Sequence, residues 1–304
     1  MLSDFHCHTH FSVDGHPSPE ALLEAALARG VRLLSITEHN TIASLPRASR
    51  RARELGIEYF PGVELDLFWQ GRQLHMLAYG FDPANARLKR LLERHIAVYR
   101  SLYPHLLCEM EERGLPVDRD RLAAAKRRRY PTYFGQVDNL WFWKQRFKGD
   151  YPESLLHEIT QAARRRAARD GDGAAPAHFA HFEEVRDCIH EAGGLLLLAH
   201  VGRYFADDVE SQVALLEDLL DAGMDGFELY HPHNCRQADF PLLERFARER
   251  TCLLSGGSDT HSLESAIRLG NPTSLGCMST PGPLLQPLLQ QLRERQPAHA
   301  SAPA

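Results

Sequence analysis

Short apolar segments in this chain are repeatedly followed by residues of the types that bind metal ions. The pairs are Leu33–Thr37 before Glu38 and His39, Tyr59–Val63 before Glu64, Leu195–Ala199 before His200, and Leu253–Ser258 before Asp259 and His261. Each segment has the length and composition of a buried strand. Parallel strands joined by helices bring their carboxyl ends to one side, where loops hold catalytic groups. The pattern therefore predicts an α/β fold with one reactive mouth.

The N-terminal segment Asp4–His10 adds a pair of histidines with strand spacing. In a strand, residues two apart face the same way, so His6 and His8 can present two imidazoles to one metal ion. Cys7 between them should face the opposite side as a core thiol. An isolated H-x-H pair is weak evidence, but a further histidine, His75, lies within the apolar run Leu74–Tyr79.

In this order, the motifs resemble those of the PHP family, named after polymerase and histidinol phosphatase. They are His6-Cys7-His8, Thr37-Glu38-His39-Asn40, Glu64, His75, Ala199-His200-Val201-Gly202-Arg203-Tyr204 and Ser258-Asp259-Thr260-His261. The resemblance covers residues 1 to about 82 and about 178 to 285. It implies a distorted seven-stranded α/β barrel and a metal-dependent phosphoesterase, closest to the branch that hydrolyses small nucleotides.

The resemblance also implies a ligand set for two to three divalent cations. The first ion would take His6, His8, Glu64 and Asp259, the second would take Glu64, His75 and His200, and the third would take Asp14, His39 and His261. The two oxygens of a bridging carboxylate can serve cations about 3.5 to 4 Å apart. Mixed imidazole and carboxylate ligands are compatible with Mn, Fe or Zn.

Three positions depart from the family pattern. Asp14 stands where some relatives have His, and its harder oxygen would weaken the third site or change its selectivity. Val201 replaces Pro and removes a fixed backbone angle after His200. Glu38 replaces Asp; we expect it to orient His39, although a solvent-facing side chain is the alternative.

Residues beyond the ligands are predicted to contact substrate. Arg203 suits a phosphate because its planar guanidinium makes paired contacts, although a surface Arg paired with an acid is the alternative. Tyr204, His233 and Arg129 complete the predicted substrate contacts. His231 is predicted to be catalytic, protonating the leaving group, or else to form hydrogen bonds within its loop.

The predicted reaction is hydrolysis of a phosphate ester by a hydroxide held between two metal ions. The chain has neither a Gly-rich phosphate loop nor a G-x-S-x-G nucleophile motif. The leading substrate is a phosphomonoester of a small molecule, such as a nucleoside mono- or 3',5'-bisphosphate. The alternatives are a phosphodiesterase or 5'-exonuclease acting on short oligonucleotides, a histidinol-phosphate-like phosphatase, and a non-catalytic metal-binding PHP module.

The helix and strand pattern predicts a discontinuous barrel domain over 1–82 and 178–294. Residues 83–177 form an inserted helical cap, and 295–304 form a flexible tail. Within the cap, Arg129 and its aromatic neighbours either grip a nucleotide by phosphate pairing and base stacking or form a solvated helix end. The arginines at 164–166 are expected to face solvent.

Composition limits the possible environments and partners. Of the 304 residues, 43% are hydrophobic, which supports a large core, and the net charge of -5 argues against a general nucleic-acid surface. There is no run of about 18 apolar residues and no secretory signal pattern. We therefore expect a cytoplasmic protein with a small phosphorylated substrate; the oligomeric state stays open.

Overall fold

The computed structural model describes residues 1–12, 14–120, 122–124, 143, 147, 149–170 and 179–295. Its strands are β1 (Leu2–Asp4), β2 (Val31–Leu34), β3 (Glu58–Tyr59), β4 (Gly62–Trp69), β5 (Arg72–Tyr79), β6 (Leu195–Leu198), β7 (Gly226–Tyr230) and β8 (Leu253–Gly256). Its helices are α1 (Pro19–Ala28), α2 (Leu45–Leu55), α3 (Ala86–Glu112), α4 (Glu153–Asp170), α5 (Phe182–Glu191), α6 (Val209–Asp221), α7 (Pro232–Cys235), α8 (Phe240–Glu249), α9 (Leu263–Ile267) and α10 (Gly282–Arg295). A single 3₁₀ turn, Val201–Arg203, follows β6 in this part of the chain.

The strands form two sheets with different directions. β1, β2 and β3 make a parallel sheet, whereas the second sheet runs in the order β4-β5-β6-β7-β8. In the second sheet β5 is antiparallel to both β4 and β6, and only β6, β7 and β8 are parallel to one another. The helix and strand pattern of the sequence fits parallel strands, but β5 does not follow that pattern.

A tight turn explains this reversal. Gln70 and Gly71 connect β4 to β5 with φ angles of 46° and 78°. Two successive residues in the left-handed region match the type I′ turn that joins antiparallel strands. The Gln-Gly pair thus returns the chain directly, where a helical crossover would have kept the strands parallel.

Backbone contacts join the two sheets at two places. Cys7 pairs with Thr260 beyond β1 and β8, and His39 pairs with Glu64 between β2 and β4. Gly257 permits the first junction, since a Cβ atom there would lie 2.3 Å from the Cβ of His6. The described strands number eight in two sheets, and a seven-stranded barrel stays a prediction.

The apolar core lies on both faces of the second sheet. In β6, Leu196 and Leu198 pack beneath the outer helices, while Leu195 and Leu197 belong to a second cluster on the opposite, inner face. Leucines of α10 join this inner cluster and cover one end of it. Burial on both faces explains why β6 reads as an uninterrupted run of leucine.

Helix α1 illustrates how local sequence sets the elements. Ser18 caps it by accepting a hydrogen bond from the backbone N–H of Ala21 at 3.1 Å, and Pro19 opens its first turn. Helices α5, α6 and α10 bury apolar residues in the same way as α1. Arg295, expected to begin a flexible tail, is the last residue of α10, and 296–304 lie outside the described residues.

Helices α3 and α4 lie in the region between β5 and α5. Helices α3 and α4 pack together around their own apolar cluster, which includes Tyr99 and Ile159. Arg164 and Arg166 do not simply face solvent as expected, because they hydrogen-bond to Gln73 and Glu109. The division into barrel, cap and tail stays a prediction. No described helix is both long and apolar enough to cross a membrane.

Candidate metal centre

The nine predicted ligands meet in one region. They are His6, His8, Asp14, His39, Glu64, His75, His200, Asp259 and His261. Each of them has an ion-pair contact of 3.6 Å or less with at least one other residue of the set. Glu64 and His75 lie within β4 and β5, on the face they share with Leu77, and the others lie beyond strand ends. The expected convergence of strand-end residues is therefore observed.

The first group surrounds one oxygen of Glu64. Nε2 of His6 and Nε2 of His8 each lie 3.2 Å from Oε2 of Glu64. The same two nitrogens lie 3.3 and 3.1 Å from Oδ1 of Asp259. These four side chains form one of the groups that could hold a metal ion.

The second group surrounds the other oxygen of Glu64. Nδ1 of His75 and Nε2 of His200 lie 2.9 and 3.1 Å from Oε1. Nδ1 of His39 approaches Oε2 at 3.3 Å. Glu64 thus lies between two sets of imidazoles, as a bridging carboxylate would.

The third group is built around Asp14. Oδ2 of Asp14 lies 3.2 Å from Nε2 of His261 and 3.6 Å from Nε2 of His39. His8 also lies within reach of this group and would be its fourth ligand. The family resemblance did not assign His8 to this group.

The packing of these side chains fits metal ions better than hydrogen bonds. Nε2 of His6, Nε2 of His8 and Oε2 of Glu64 are buried, yet within the described residues they have no hydrogen-bond partner. Two ligands that bind one cation at about 2.1 Å and at right angles lie about 3 Å apart. The spacings of 3.1 to 3.3 Å are therefore those of neighbouring ligands on a shared cation.

The charges of these side chains are strongly coupled. Burial alone would raise the pKa of Glu64, but the surrounding histidines, His39 and His6 first, hold it well below its usual range. Burial would likewise lower the pKa of His261, yet Asp14 and Asp259 raise it to about 10. The carboxylates therefore remain ionised, which is the state that binds cations.

Backbone strain is concentrated next to the ligands. His200 and Asp259 have φ angles of 32° and 53°, and Asn40, which follows His39, has 54°. A non-glycine residue in this region costs about 1 to 3 kcal/mol and persists where the surroundings demand it. Here each strained residue turns the chain at a strand end, so that a side chain points into the cluster.

Two carboxylates near the centre escaped the sequence analysis. Oε1 of Glu228 accepts from Nδ1 of His6 at 3.0 Å, and Oε2 accepts from the backbone N–H of His200 at 2.9 Å. Asp66 lies 3.2 Å from Nε2 of His75. A carboxylate inside an otherwise apolar strand, as in Gly226–Tyr230, was the available signal, because such a group needs a buried partner.

Glu38 does not have the role predicted for it. Its side chain is fully buried, so it does not face solvent, and it accepts from the backbone N–H of Thr9 at 3.0 Å and from the Thr9 hydroxyl. No described hydrogen bond joins it to the ring of His39. Glu38 instead holds the segment that follows His8.

The predicted substrate contacts occupy different depths. Arg203 is exposed, and His233 is exposed and stacked on His231, with ring centres 5.4 Å apart. The hydroxyl of Tyr204 accepts from the backbone N–H of His75 at 2.7 Å, which ties it to β5. Arg129 lies outside the described residues.

His231 is buried, although it lies outside the strands and helices. Only 1% of it is exposed, and its Nδ1 accepts from the backbone N–H of His233 at 3.1 Å. Its Nε2 lies 3.6 Å from Oδ2 of Asp259. His231 thus belongs to the buried cluster, beside His6 and Glu228.

A cavity of about 340 Å³ opens onto these groups. It is lined by Asp14, His16, His39, Glu64, Arg203, Asp259, His261 and Ser262. Arg203 supplies the only guanidinium or ammonium group among the described lining residues. The lining therefore combines one guanidinium group with carboxylates and imidazoles of the candidate ligands.

Comparison with known proteins agrees with this geometry. The profile of the PHP domain matches residues 4–222. The chain belongs to the PHP family. It is a metal-dependent phosphoesterase of that family, and hence a hydrolase.

Curated relatives match over most of this PHP protein. A 5'-3' exoribonuclease of Haemophilus influenzae is 29% identical, covering 90% of this chain and 94% of the relative. A phosphoribosyl 1,2-cyclic phosphate 1,2-diphosphodiesterase of Eggerthella lenta is 30% identical, covering 86% and 94%. A 3',5'-nucleoside bisphosphate phosphatase of Chromobacterium violaceum is 24% identical, covering 96% of each.

A solved structure shares the fold. A proposed metal-dependent phosphoesterase of Bifidobacterium adolescentis superposes with a TM-score of 0.70 at 24% identity, covering 95% of this chain and 96% of the other. This likeness supports an α/β fold of the same kind.

Proposed function

We propose that the nine clustered residues bind two to three divalent cations, Mn, Fe or Zn. The ligand set is the one implied by the family resemblance, with Glu64 bridging two ions. Nε2 of His6, Nε2 of His8 and Oε2 of Glu64 support it, because these buried atoms have no hydrogen-bond partner among the described residues, whereas buried polar atoms otherwise find partners. We place the centre on a distorted PHP barrel, with 83–177 as its cap.

We propose further that the substrate is a phosphomonoester of a small molecule, first of all a nucleoside 3',5'-bisphosphate. The observation that carries this proposal is the cavity. Its volume of about 340 Å³ lies at the small end of ligand pockets, and Arg203 lines it together with several of the candidate ligands. The Chromobacterium violaceum relative, named a 3',5'-nucleoside bisphosphate phosphatase, spans 96% of the chain.

Different residues of this chain have different roles in the proposed hydrolysis. Bound divalent cations would lower the pKa of water and offset charge on the phosphoryl group. Arg203, at the rim, would hold phosphoryl oxygens through paired N–H donors. The leaving oxygen needs a proton when its bond to phosphorus breaks. We propose that this proton comes from solvent water and that His231 donates a hydrogen bond from Nε2 to the same leaving oxygen, because its Nδ1 accepts a hydrogen bond and the proton of the neutral ring is therefore on Nε2.

A second candidate is cleavage of short oligoribonucleotides from the 5' end. It is favoured by the relatives named 5'-3' exoribonuclease, which match about 90% of this chain at 27 to 29% identity. Both reactions break a bond between phosphorus and a 3' oxygen. Removal of a 3' phosphate releases orthophosphate, whereas cleavage of the first diester releases a nucleotide.

Product analysis with metal counting would test both candidates. Purified, Mn-supplemented protein would be offered adenosine 3',5'-bisphosphate, a 5'-phosphorylated triribonucleotide, a ribose cyclic phosphate and histidinol phosphate. We expect orthophosphate from the bisphosphate at a rate well above that from the other monoester. Asp259→Ala should abolish this release and remove at least one equivalent of metal, whereas Asp218→Ala, at an exposed helix position, should change neither.

Each other outcome has a distinct meaning. Mononucleotides from the triribonucleotide without orthophosphate from the bisphosphate would replace the first candidate by the second. Full turnover in Asp259→Ala would show that the ligand assignment is wrong. Bound metal with no product from any substrate would favour a non-catalytic role.

A further inference from the structure

Asp66 occupies the same face of β4 as Glu64 and is fully buried. Its Oδ1 lies 3.2 Å from Nε2 of His75 and accepts from Nε2 of Gln73 at 2.6 Å. Its Oδ2 accepts from Nδ2 of Asn40 at 2.6 Å and from the hydroxyl of Tyr99. Four donors therefore converge on one carboxylate, directly behind a metal ligand.

This arrangement decides which nitrogen of His75 carries its proton. An ionised carboxylate can only accept, so Nε2 of His75, which faces Asp66, must be the protonated nitrogen. Nδ1 then keeps its lone pair and points toward Glu64, 2.9 Å away. A cation shared by Nδ1 and the Glu64 carboxylate suits this geometry, because two lone pairs would otherwise face each other.

One side of Asp66 is held by helix α3. Besides Tyr99, this helix supplies His95, whose Nε2 accepts from the backbone N–H of Ala180 at 3.2 Å. Nδ1 of His95 must then donate to Oδ1 of Asn40, 2.8 Å away. This hydrogen bond fixes the amide of Asn40 so that its NH₂ group points at Asp66.

Helix α4 holds the other side by the same principle. Nη2 of Arg164 donates to Oε1 of Gln73 at 2.9 Å, which turns the NH₂ group of Gln73 toward Asp66. Arg164 is half-buried against β5. Helices α3 and α4 thus each orient an amide toward the same carboxylate.

We propose that α3 and α4 act as positioning elements for the metal centre. Through Asp66 they hold His75 with its proton on Nε2, so that His75 binds a cation through Nδ1. Tyr99, Asp66 and Gln73 are positioning residues that act through His75. This inference rests on the proposed role of His75 as a ligand, and it gives the predicted cap a function beyond substrate selection.

Metal affinity separates this role from ordinary packing. Mn would be titrated calorimetrically into chelator-treated wild-type protein, Tyr99→Phe and Tyr103→Phe. Tyr103 lies about one turn further along α3 in the apolar cluster and serves as the matched control. We expect Tyr99→Phe to weaken one binding event by about 10-fold, the lower end for residues that orient metal ligands, and Tyr103→Phe to weaken none.

The proton on His75 can be observed directly. In protein labelled with ¹⁵N-histidine and loaded with cadmium, long-range nitrogen spectra should show ligation of His75 at Nδ1 and a proton on Nε2. Asp66→Asn should reduce this preference. If Tyr99→Phe does not fold, Arg164→Met at a half-exposed position is a milder variant. It should weaken the same binding event.

Equal Mn affinity in the wild type, Tyr99→Phe and Arg164→Met would overturn the inference, and so would ligation of His75 through Nε2. A lower melting temperature in Tyr99→Phe with unchanged affinity would also overturn it, because the contact would then be only structural. If the wild type bound no cation at all, the proposed metal centre would fail instead, and the two failures are therefore distinguishable.

Discussion

Glu64 and Asp66 lie two residues apart on the same face of β4, and both carboxylates are buried, yet their surroundings differ. Oε2 of Glu64 has no hydrogen-bond partner among the described residues, whereas both oxygens of Asp66 accept hydrogen bonds from side chains. Glu64 is surrounded by imidazoles, while Asp66 is surrounded by donors from an amide, a phenol and a second amide.

The difference separates a carboxylate with an oxygen that lacks a hydrogen-bond donor, Glu64, from one whose two oxygens both accept hydrogen bonds, Asp66. A buried carboxylate without donors is costly unless a cation completes its shell. A buried carboxylate with every lone pair engaged is a rigid anchor. Substitutions at the two positions should therefore affect different measurements.

The largest effect is expected from Glu64→Gln. A neutral amide offers one oxygen where the carboxylate offers two, so the bridge between the two groups of histidines is lost. Activity should fall by more than about 100-fold, since even residues that only orient ligands cost 10- to 100-fold. Phosphate release and metal content would be measured on the same sample.

A buried carboxylate outside the centre provides the control for this substitution. Glu109 on α3 is paired with Arg113, which follows that helix, and with Arg166 on α4, and Glu109→Gln should retain both metal and turnover. Full activity in Glu64→Gln would contradict the bridging role.

Asp66→Asn should lower both metal affinity and stability. The NH₂ group of the introduced amide must face at least one of the donors from Gln73, Asn40, Tyr99 or His75. A buried donor is then left without an acceptor. The free energy of unfolding should fall by about 1 to 3 kcal/mol, as measured by urea unfolding in chelator. Metal affinity should fall by about 10- to 100-fold. Wild-type stability in this variant would remove the contrast with Glu64.

Arg203→Ala should act on substrate and leave the metals in place. Loss of a charge-assisted hydrogen bond contributes about 1.5 to 3 kcal/mol, so KM should rise or turnover should fall by about 10- to 100-fold. Arg236→Ala is the matched control, because Arg236 is exposed nearby and does not line the cavity. A loss of metal in Arg203→Ala would argue against a substrate contact.

The smallest effect concerns His95, which supports Asp66 through Asn40. Burial lowers the pKa of His95 to about 4, whereas in the unfolded chain it is about 6.5. Below pH 6.5 the unfolded chain binds a proton that the folded chain does not, so stability falls from pH 6.5 toward 4 and is unaffected above 6.5. The difference should reach about 2 kcal/mol at pH 5.

Urea unfolding in chelator at pH 7.5 and 5 would measure this loss, with His95→Gln as the comparison. The variant should lose less stability than the wild type between the two pH values. Equal losses in both proteins would show that His95 does not contribute to the pH dependence.

The convergence of the nine candidate ligands could be predicted from the sequence because most of them follow a recognisable strand end, whereas their role as ligands stays a prediction. His200 and Asp259, for example, follow apolar runs that could hardly be anything but buried strands. The antiparallel direction of β5 was missed because the sequence pattern favoured helical crossovers between strands. The two-residue turn Gln70-Gly71 instead reverses the chain directly.

The supporting residues could not be predicted in the same way. Glu228 meets His6 across 222 positions of sequence, and His95 meets Asn40 across 55. Such contacts depend on how helices and strands dock, and local patterns carry no information about docking. The predicted contact at Arg129 remains a prediction.

The inner apolar cluster ends on α10, the last helix of the described chain, whose Leu285, Leu288 and Leu292 cover it. The centre above that cluster joins His6, from the beginning of the chain, to Asp259, from near its end. Contacts of such long sequence separation form late, because the intervening chain must first be ordered. During synthesis, the chain must therefore extend beyond Asp259 before the contact between His6 and Asp259 can form.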